Sequence, residues 1–264
     1  MKNILLIIFS LALLTSCGEF QKVINGTDAK AKYDLAWKYY KKEKYKRADQ
    51  LFTQVDKVYR NKPVYQRLLF AHAMSLYHMK YYTSAGAKLR KFTQLYPESS
   101  KAEDAAYYIV KSYDILSPKY SVDQAYTKRA IEEIQAFIKK YPYSKYSKEI
   151  NQMDAKLTAR LEKKDLEISK QYFDLTMYKA AITAFNNFLI DHPGSKFTEE
   201  ALYYKFKAMA ELALNSVTSK KENRLRQAEN QLSNFKKKYP DSIYLKELNK
   251  INKKIQSEKK QFNS

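Results

Sequence analysis

The groups through which this chain could carry out chemistry are few. Three histidines (His72, His78, His192) and one cysteine (Cys17) are spread over 264 residues. A shared metal needs its ligands on one face, and His72 and His78, six apart, lie about 240° from each other around a helix. His192 precedes a proline in a slot that tyrosine fills elsewhere in the chain, which gives it a structural reading. No Gly-rich phosphate loop, His-Glu-x-x-His or Gly-x-Ser-x-Gly is present. The acidic pairs Glu132-Glu133 and Glu199-Glu200 fall on amphipathic segments and read as solvated faces or helix N-terminal charge. The expectation is a protein that is not an enzyme, with no metal and no cofactor.

Cys17 stands apart. Lys2 gives a short positive start, Ile4 to Leu14 are apolar, and Leu14-Thr15-Ser16-Cys17 ends in small residues before the cysteine. The apolar run is about 11 residues, well short of the ~20 that cross a bilayer, so residues 1–16 read as a signal peptide. The segment resembles a bacterial lipobox. As the sole cysteine, Cys17 has no disulfide partner within the chain and reads as a lipidation site, with residues 17–28 as a lipidated tether. Export sets the meaning of the charge, 49 Lys and Arg against 28 Asp and Glu, net +21. An exported lipoprotein meets little nucleic acid, so that partner is set aside. Attraction to anionic headgroups or acidic proteins, and a merely solvated lysine surface, both fit the excess.

Four glycines and six prolines are too few turn formers for a sandwich, a barrel or a nucleotide-binding sheet, and 45% hydrophobic residues exclude wholesale disorder. An all-helical protein remains. Its periodicity is explicit: Ala85/Leu89/Phe92/Pro97, Ala130/Ile134/Phe137/Pro142, Ala181/Phe185/Phe188/Pro193 and Ala228/Leu232/Phe235/Pro240 share one spacing. Positions i, i+4 and i+7 make one helix face, and the proline stops the helix. Ala48/Phe52/Val55 is a fifth copy that uses Pro63 instead. A serine two residues after each of the four prolines (Ser99, Ser144, Ser195, Ser242) is placed to cap the next helix. Tyr45, Tyr82 and Tyr178 each stand three residues before a repeat alanine.

These are helical hairpins that resemble tetratricopeptide repeats. The expected fold is an all-α, superhelical array of about five of them, with a capping helix from Ile243 to about Lys260. Residues 29–143 would hold repeats 1–3. Residues 144–264 would hold a long joining helix, repeats 4–5 and the cap. In such arrays the first helix of each repeat lines a groove. Registering on the repeat alanines puts Lys30, Tyr33, Trp37 and Tyr40 on that stripe in repeat 1, and Arg67, Phe70, Met74 and Tyr77 in repeat 2. One cation with three large apolar or aromatic side chains suits an aromatic peptide with a terminal carboxylate. The same rings suit packing against neighbouring helices, and the pattern alone leaves both open. Repeat 4 offers Lys163, Leu166, Lys170 and Phe173, which is less aromatic.

A lipobox followed by such repeats resembles the BamD family, lipoproteins of the β-barrel assembly machinery of Gram-negative outer membranes. The likeness is strongest over Ser117 to Tyr146, with Ser-Pro-Lys-Tyr-Ser-Val-Asp-Gln and Tyr-Pro-Tyr-Ser-Lys-Tyr, and over Leu161 to Tyr204. The latter carries Tyr178-Lys179-Ala180-Ala181-Ile182 and His-Pro-Gly-Ser, its His192 replacing the family's usual Tyr. The resemblance implies a lipid-anchored, periplasm-facing outer-membrane subunit. Its partners would be the C-terminal targeting segments of unfolded outer-membrane proteins and the periplasmic domains of the barrel-forming insertase, the latter held mainly by the C-terminal half. The alternative is another tetratricopeptide envelope scaffold, coordinating cell-wall synthesis or division.

Overall fold

The computed structural model describes residues 18–261. Cys17 and the expected signal segment lie outside them. All regular structure among the described residues is helical: α1 over residues 18–25, then α2 (Ala29–Lys41), α3 (Tyr45–Tyr59), α4 (Tyr65–His78), α5 (Tyr82–Leu95), α6 (Ala102–Leu116), α7 (Ala125–Lys140), α8 (Ser147–Asp174), α9 (Tyr178–Asp191), α10 (Thr198–Leu214), α11 (Thr218–Lys238) and α12 (Leu245–Lys260). The chain divides into two compact units. One holds the residues up to Pro118 together with Gln124–Leu157, the other Lys119–Asp123 and Thr158 onward. The boundary expected at 143/144 therefore falls inside α8. Ile150, Met153 and Leu157 join the first core, while Leu166 joins the second. The segment expected as a tether is in part helix: Phe20 of α1 packs edge-on against Tyr39 at 5.5 Å, and Lys38 pairs with Glu19.

The repeat signature builds the cores. Ala48, Phe52, Ala85, Leu89, Phe92, Ala130, Ile134, Ala181, Phe185 and Ala228 are all fully or almost fully buried. Each small alanine lets the paired helix come close, and each ring fills the space beside it. The helices stop where proline predicts. Tyr96, Tyr141, His192 and Tyr239 share one backbone conformation, φ −133°, −130°, −124° and −134°, because a following proline bars the helical basin. Each donates its N–H to the phenylalanine four residues back. His192 fits that slot as the tyrosines do, and its Nε2 lies 2.9 Å from Asp165 Oδ2.

The serines act one step earlier than expected. Ser99, Ser144, Ser195 and Ser242 accept from the amides two residues on, Lys101, Tyr146, Phe197 and Tyr244, while the helices begin three residues on. They fix the turn that leads into the helix rather than capping its first turn.

Tyr45, Tyr82 and Tyr178 open the second helices of three hairpins. Two residues before them, Glu43, Lys80 and Thr176 adopt φ of 57°, 66° and 57°. The amides of Lys44, Tyr81 and Met177 reach back to Tyr39, Leu76 and Tyr172, so each hairpin turns through a left-handed C-terminal cap of Schellman type.

Candidate functional site

The first unit holds a cleft of about 430 Å³ lined by Trp37, Tyr40, Pro63, Gln66, Arg67, Phe70, Ala71, Phe92, Ser99, Ser100 and Lys101. Its walls come from α2, α4 and α5, and the turn before α6 closes one side. Four of the eight predicted groove residues meet here: Trp37, Tyr40, Arg67 and Phe70. Trp37 is held edge-on by Tyr40 at 5.5 Å and Phe52 at 5.6 Å, so its ring orientation is fixed before anything binds. Its Nε1 is buried with no hydrogen-bond partner among the described residues. The Arg67 guanidinium lies 4.1 Å from the Trp37 ring centroid. Stacking of this kind leaves the edge N–H donors directed outward. Arg67 makes no ion pair among the described residues, whereas Lys101 at the opposite wall pairs with Asp104 at 2.9 Å.

The other four predicted residues lie elsewhere. Lys30 is exposed and paired with Asp34 at 2.9 Å. Tyr33 stacks on Tyr59 at 4.8 Å and touches Trp37 edge-on. Met74 is core, 5% exposed, because the neighbouring helix closes over a position that α4 turns inward. Tyr77 fits between Tyr82 and Tyr108 and is a packing residue, not a cleft wall. Some of the predicted rings thus line the cleft, while others pack between helices. Burial pushes the Tyr40 hydroxyl up to about 12, so it stays a neutral hydrogen-bonding group at any physiological pH. Sequence reasoning missed Gln66, Ser99, Ser100 and Lys101. Matching equivalent helix positions cannot show that the next turn closes a cleft, although Ser99 was already marked by its place after Pro97.

The stripe of repeat 4 is built differently. Leu166 is fully buried and Phe173 packs against Tyr178 and Tyr204. Lys163 and Lys170 both reach Glu167 and Glu200. Partial burial works against the Lys170 charge, but its hydrogen bonds to Glu167 and Glu200 raise its pKa overall.

The remaining groups that could do chemistry have structural contacts. His72, 1% exposed, lies 2.9 Å from Asp49, and His78 stacks on Tyr45 at 4.4 Å. Glu199 and Glu200 occupy the first turn of α10, as expected. Glu133 departs from its expected solvated face: it is largely buried between Arg90 and Arg129. No group of three His, Cys, Asp or Glu among the described residues is placed to hold a metal ion. Nor is any described helix long and apolar enough to cross a membrane.

Among solved structures, the TPR2AB domain of yeast Sti1 in a pHSP90 complex aligns with TM-score 0.41 and 14% identity, over 86% of this chain and 98% of that one. A Podospora anserina kinesin light chain with TPR-like repeats aligns with TM-score 0.33 and 12% identity, over 81% and 96%. No curated protein sequence matches. The profile of the YfiO family, described as outer membrane lipoprotein, matches residues 26–225, which takes in the whole cleft and part of the second unit but not α12. With three quarters of its length matched, the chain belongs to the YfiO (BamD) family of outer membrane lipoproteins.

Proposed function

We propose that this lipoprotein serves β-barrel assembly by capturing the C-terminal targeting segments of unfolded outer-membrane proteins in the cleft of the first unit. The observation that carries the reading is Arg67: a cation spread on the Trp37 ring, with no carboxylate partner among the described residues, at the edge of a cleft lined in part by aromatic rings. A chain ending in an aromatic residue would seat that ring against Phe70 and Trp37 and its terminal carboxylate on Arg67, a charge-assisted and potentially bidentate contact. Acylation at Cys17 would hold the protein to the membrane, facing the periplasm. The second unit would take the periplasmic domains of the barrel-forming insertase, as the family implies.

Trp37 is the only tryptophan, so its emission reports on the cleft directly. Titrating a peptide that ends in Phe, as free acid and as amide, should show the acid binding at least tenfold more tightly. Arg67→Gln should abolish that preference without changing the amide. Equal affinities for acid and amide in the unaltered protein would remove the carboxylate site. Purification from detergent-solubilised membranes tests the wider role. Recovery of a large barrel protein with repeated periplasmic domains supports it, and recovery of cell-wall or division proteins alone overturns it.

A further inference from the structure

The last helix carries a charge distribution that neither the fold nor the cleft explains. α12 buries Leu248 and Ile255 completely. On its opposite side Lys246, Lys250, Lys253, Lys254 and Lys260 fall within about 120° of one another around the axis. All five are exposed, and none makes an ion pair among the described residues. The two glutamates of α12 lie at the flank of this face and are engaged by neighbouring helices: Glu247, half-exposed, accepts from Tyr203 at 2.6 Å and pairs with Lys207, and Glu258 pairs with Lys221. Within the arc of the five lysines the charge is of one sign only, with Glu247 at its edge already taken by Tyr203 and Lys207. Lys246, Lys250 and Lys254 are spaced i, i+4, i+8, where like charges work against the helix. A capping helix needs a polar outer face, but alternating signs would supply one without that repulsion. At the start of the same helix, in the turn after Pro240, Ile243 is 86% exposed.

We propose that the outer face of α12, with Ile243 at its end, is a docking surface for the anionic phospholipid headgroups of a bilayer. The five cations run over about 21 Å of a convex helix face, a geometry suited to a plane of phosphates rather than to a pocket. A protein partner of fixed shape would need an apolar centre to anchor it, and this face offers one isoleucine. A bilayer needs none: it attracts each lysine near its surface independently of shape, with a range set by salt, and Ile243 is placed to enter the headgroup layer. Recognition is of the phosphodiester charge and does not depend on the cleft reading.

The test uses the full chain with Cys17→Ser, so that no acyl chain anchors it, sedimented with vesicles of phosphatidylcholine alone or with 30 mol% phosphatidylglycerol, a composition chosen for about one anionic headgroup in three. The unaltered surface should bind the anionic vesicles at least tenfold more tightly, with affinity falling as salt rises. Lys246→Gln, Lys250→Gln, Lys253→Gln and Lys254→Gln together should erase that preference, and Ile243→Ser should weaken it severalfold. These side chains are exposed and unpaired, so far-UV circular dichroism should not change. Arg67→Gln should leave vesicle binding intact, which separates this surface from the cleft. Equal binding to the two vesicle types, or a fourfold variant that keeps its preference, overturns the proposal. So does a variant that loses polyglutamate binding but keeps the vesicles, which would make an acidic protein the partner.

Discussion

The two units share a frame and differ in what they do with its charges. At one register position the chain has Lys30, Arg67 and Lys163, at another Trp37, Met74 and Lys170. In the first unit Arg67 is left with an aromatic ring for company. In the second, Lys163 and Lys170 are both held by Glu167 and Glu200. A repeat position therefore fixes where a side chain points but not whether it is available; that depends on which carboxylates the neighbouring helix supplies. Where the units agree, they agree closely. Tyr107 of α6 stacks on Tyr146 at 3.8 Å and donates to Glu149 at 2.6 Å. Tyr203 of α10 stacks on Tyr244 at 4.2 Å and donates to Glu247 at 2.6 Å. Lys111 and Lys207 close the two clasps.

The largest effects should ignore the difference between the units. Phe52 and Phe185 are both fully buried at the same repeat position, so Phe52→Ala and Phe185→Ala should each cost about 3–5 kcal/mol in urea unfolding. A cost in one that is less than half the cost in the other would break the equivalence of the two cores. Binding should do the reverse. Trp37→Ala should weaken the Phe-terminated peptide by about 2 kcal/mol, as loss of a central aromatic anchor does, with calorimetry replacing the lost fluorescence. Phe173→Ala, in the other unit, should leave peptide affinity unchanged.

The clasps should respond alike to pH. Hydrogen bonds from Tyr107 and from Tyr203 are the leading cause that holds the Glu149 and Glu247 carboxyls below the usual glutamate value. A carboxylate whose folded pKa is depressed stabilises the fold fully above its unfolded value, and that contribution is lost as pH falls through the folded one. Tyr107→Phe and Tyr203→Phe should each cost about 1 kcal/mol at pH 7. Each should also flatten the fall of the urea midpoint on acidification below the ordinary glutamate range. An unchanged acid slope in both would mean that the clasps contribute packing alone.

The hairpins, their proline stops and their core alanines and phenylalanines were legible because helix periodicity and proline sterics act within a dozen residues. Part of the cleft was legible for the same reason: Trp37, Tyr40, Arg67 and Phe70 follow from register. Met74 and Tyr77 did not, because the turn of a helix by a few tens of degrees decides between wall and core, and only packing sets that turn. The division inside α8 was hidden as well. Residues 144–176 contain no Gly or Pro to mark it, and it becomes visible only through which core Leu157 and Leu166 enter.

The left-handed turns sharpen the comparison further. Glu43 and Lys80 turn the first unit's hairpins, and Thr176 turns that of α8 and α9. A β-branched residue is the least suited of the three to positive φ. Thr176→Gly should raise stability by about 1 kcal/mol, the relief of the Cβ clash exceeding the extra chain entropy of glycine. Glu43→Gly should give less, because an unbranched side chain relieves less strain. Thermal unfolding of the pair measures this, and a larger gain at Glu43 would contradict the steric account.

The smallest effect concerns the face that has no counterpart in the first unit. Lys250 is flanked by Lys246 and Lys254 at i−4 and i+4 and by Glu247 at i−3, so Lys250→Glu turns two repulsions into attractions against one attraction turned into a repulsion, and should stabilise the chain by about 0.3 kcal/mol. The same change removes charge from the proposed bilayer-facing surface and should weaken binding to phosphatidylglycerol vesicles. Opposite signs of the two effects are the diagnostic outcome. Stability that rises while vesicle binding stays constant would show the lysine face to be a solvated surface. Stability that rises while binding falls is the signature of a helix whose repulsion is offset only when anions lie against it.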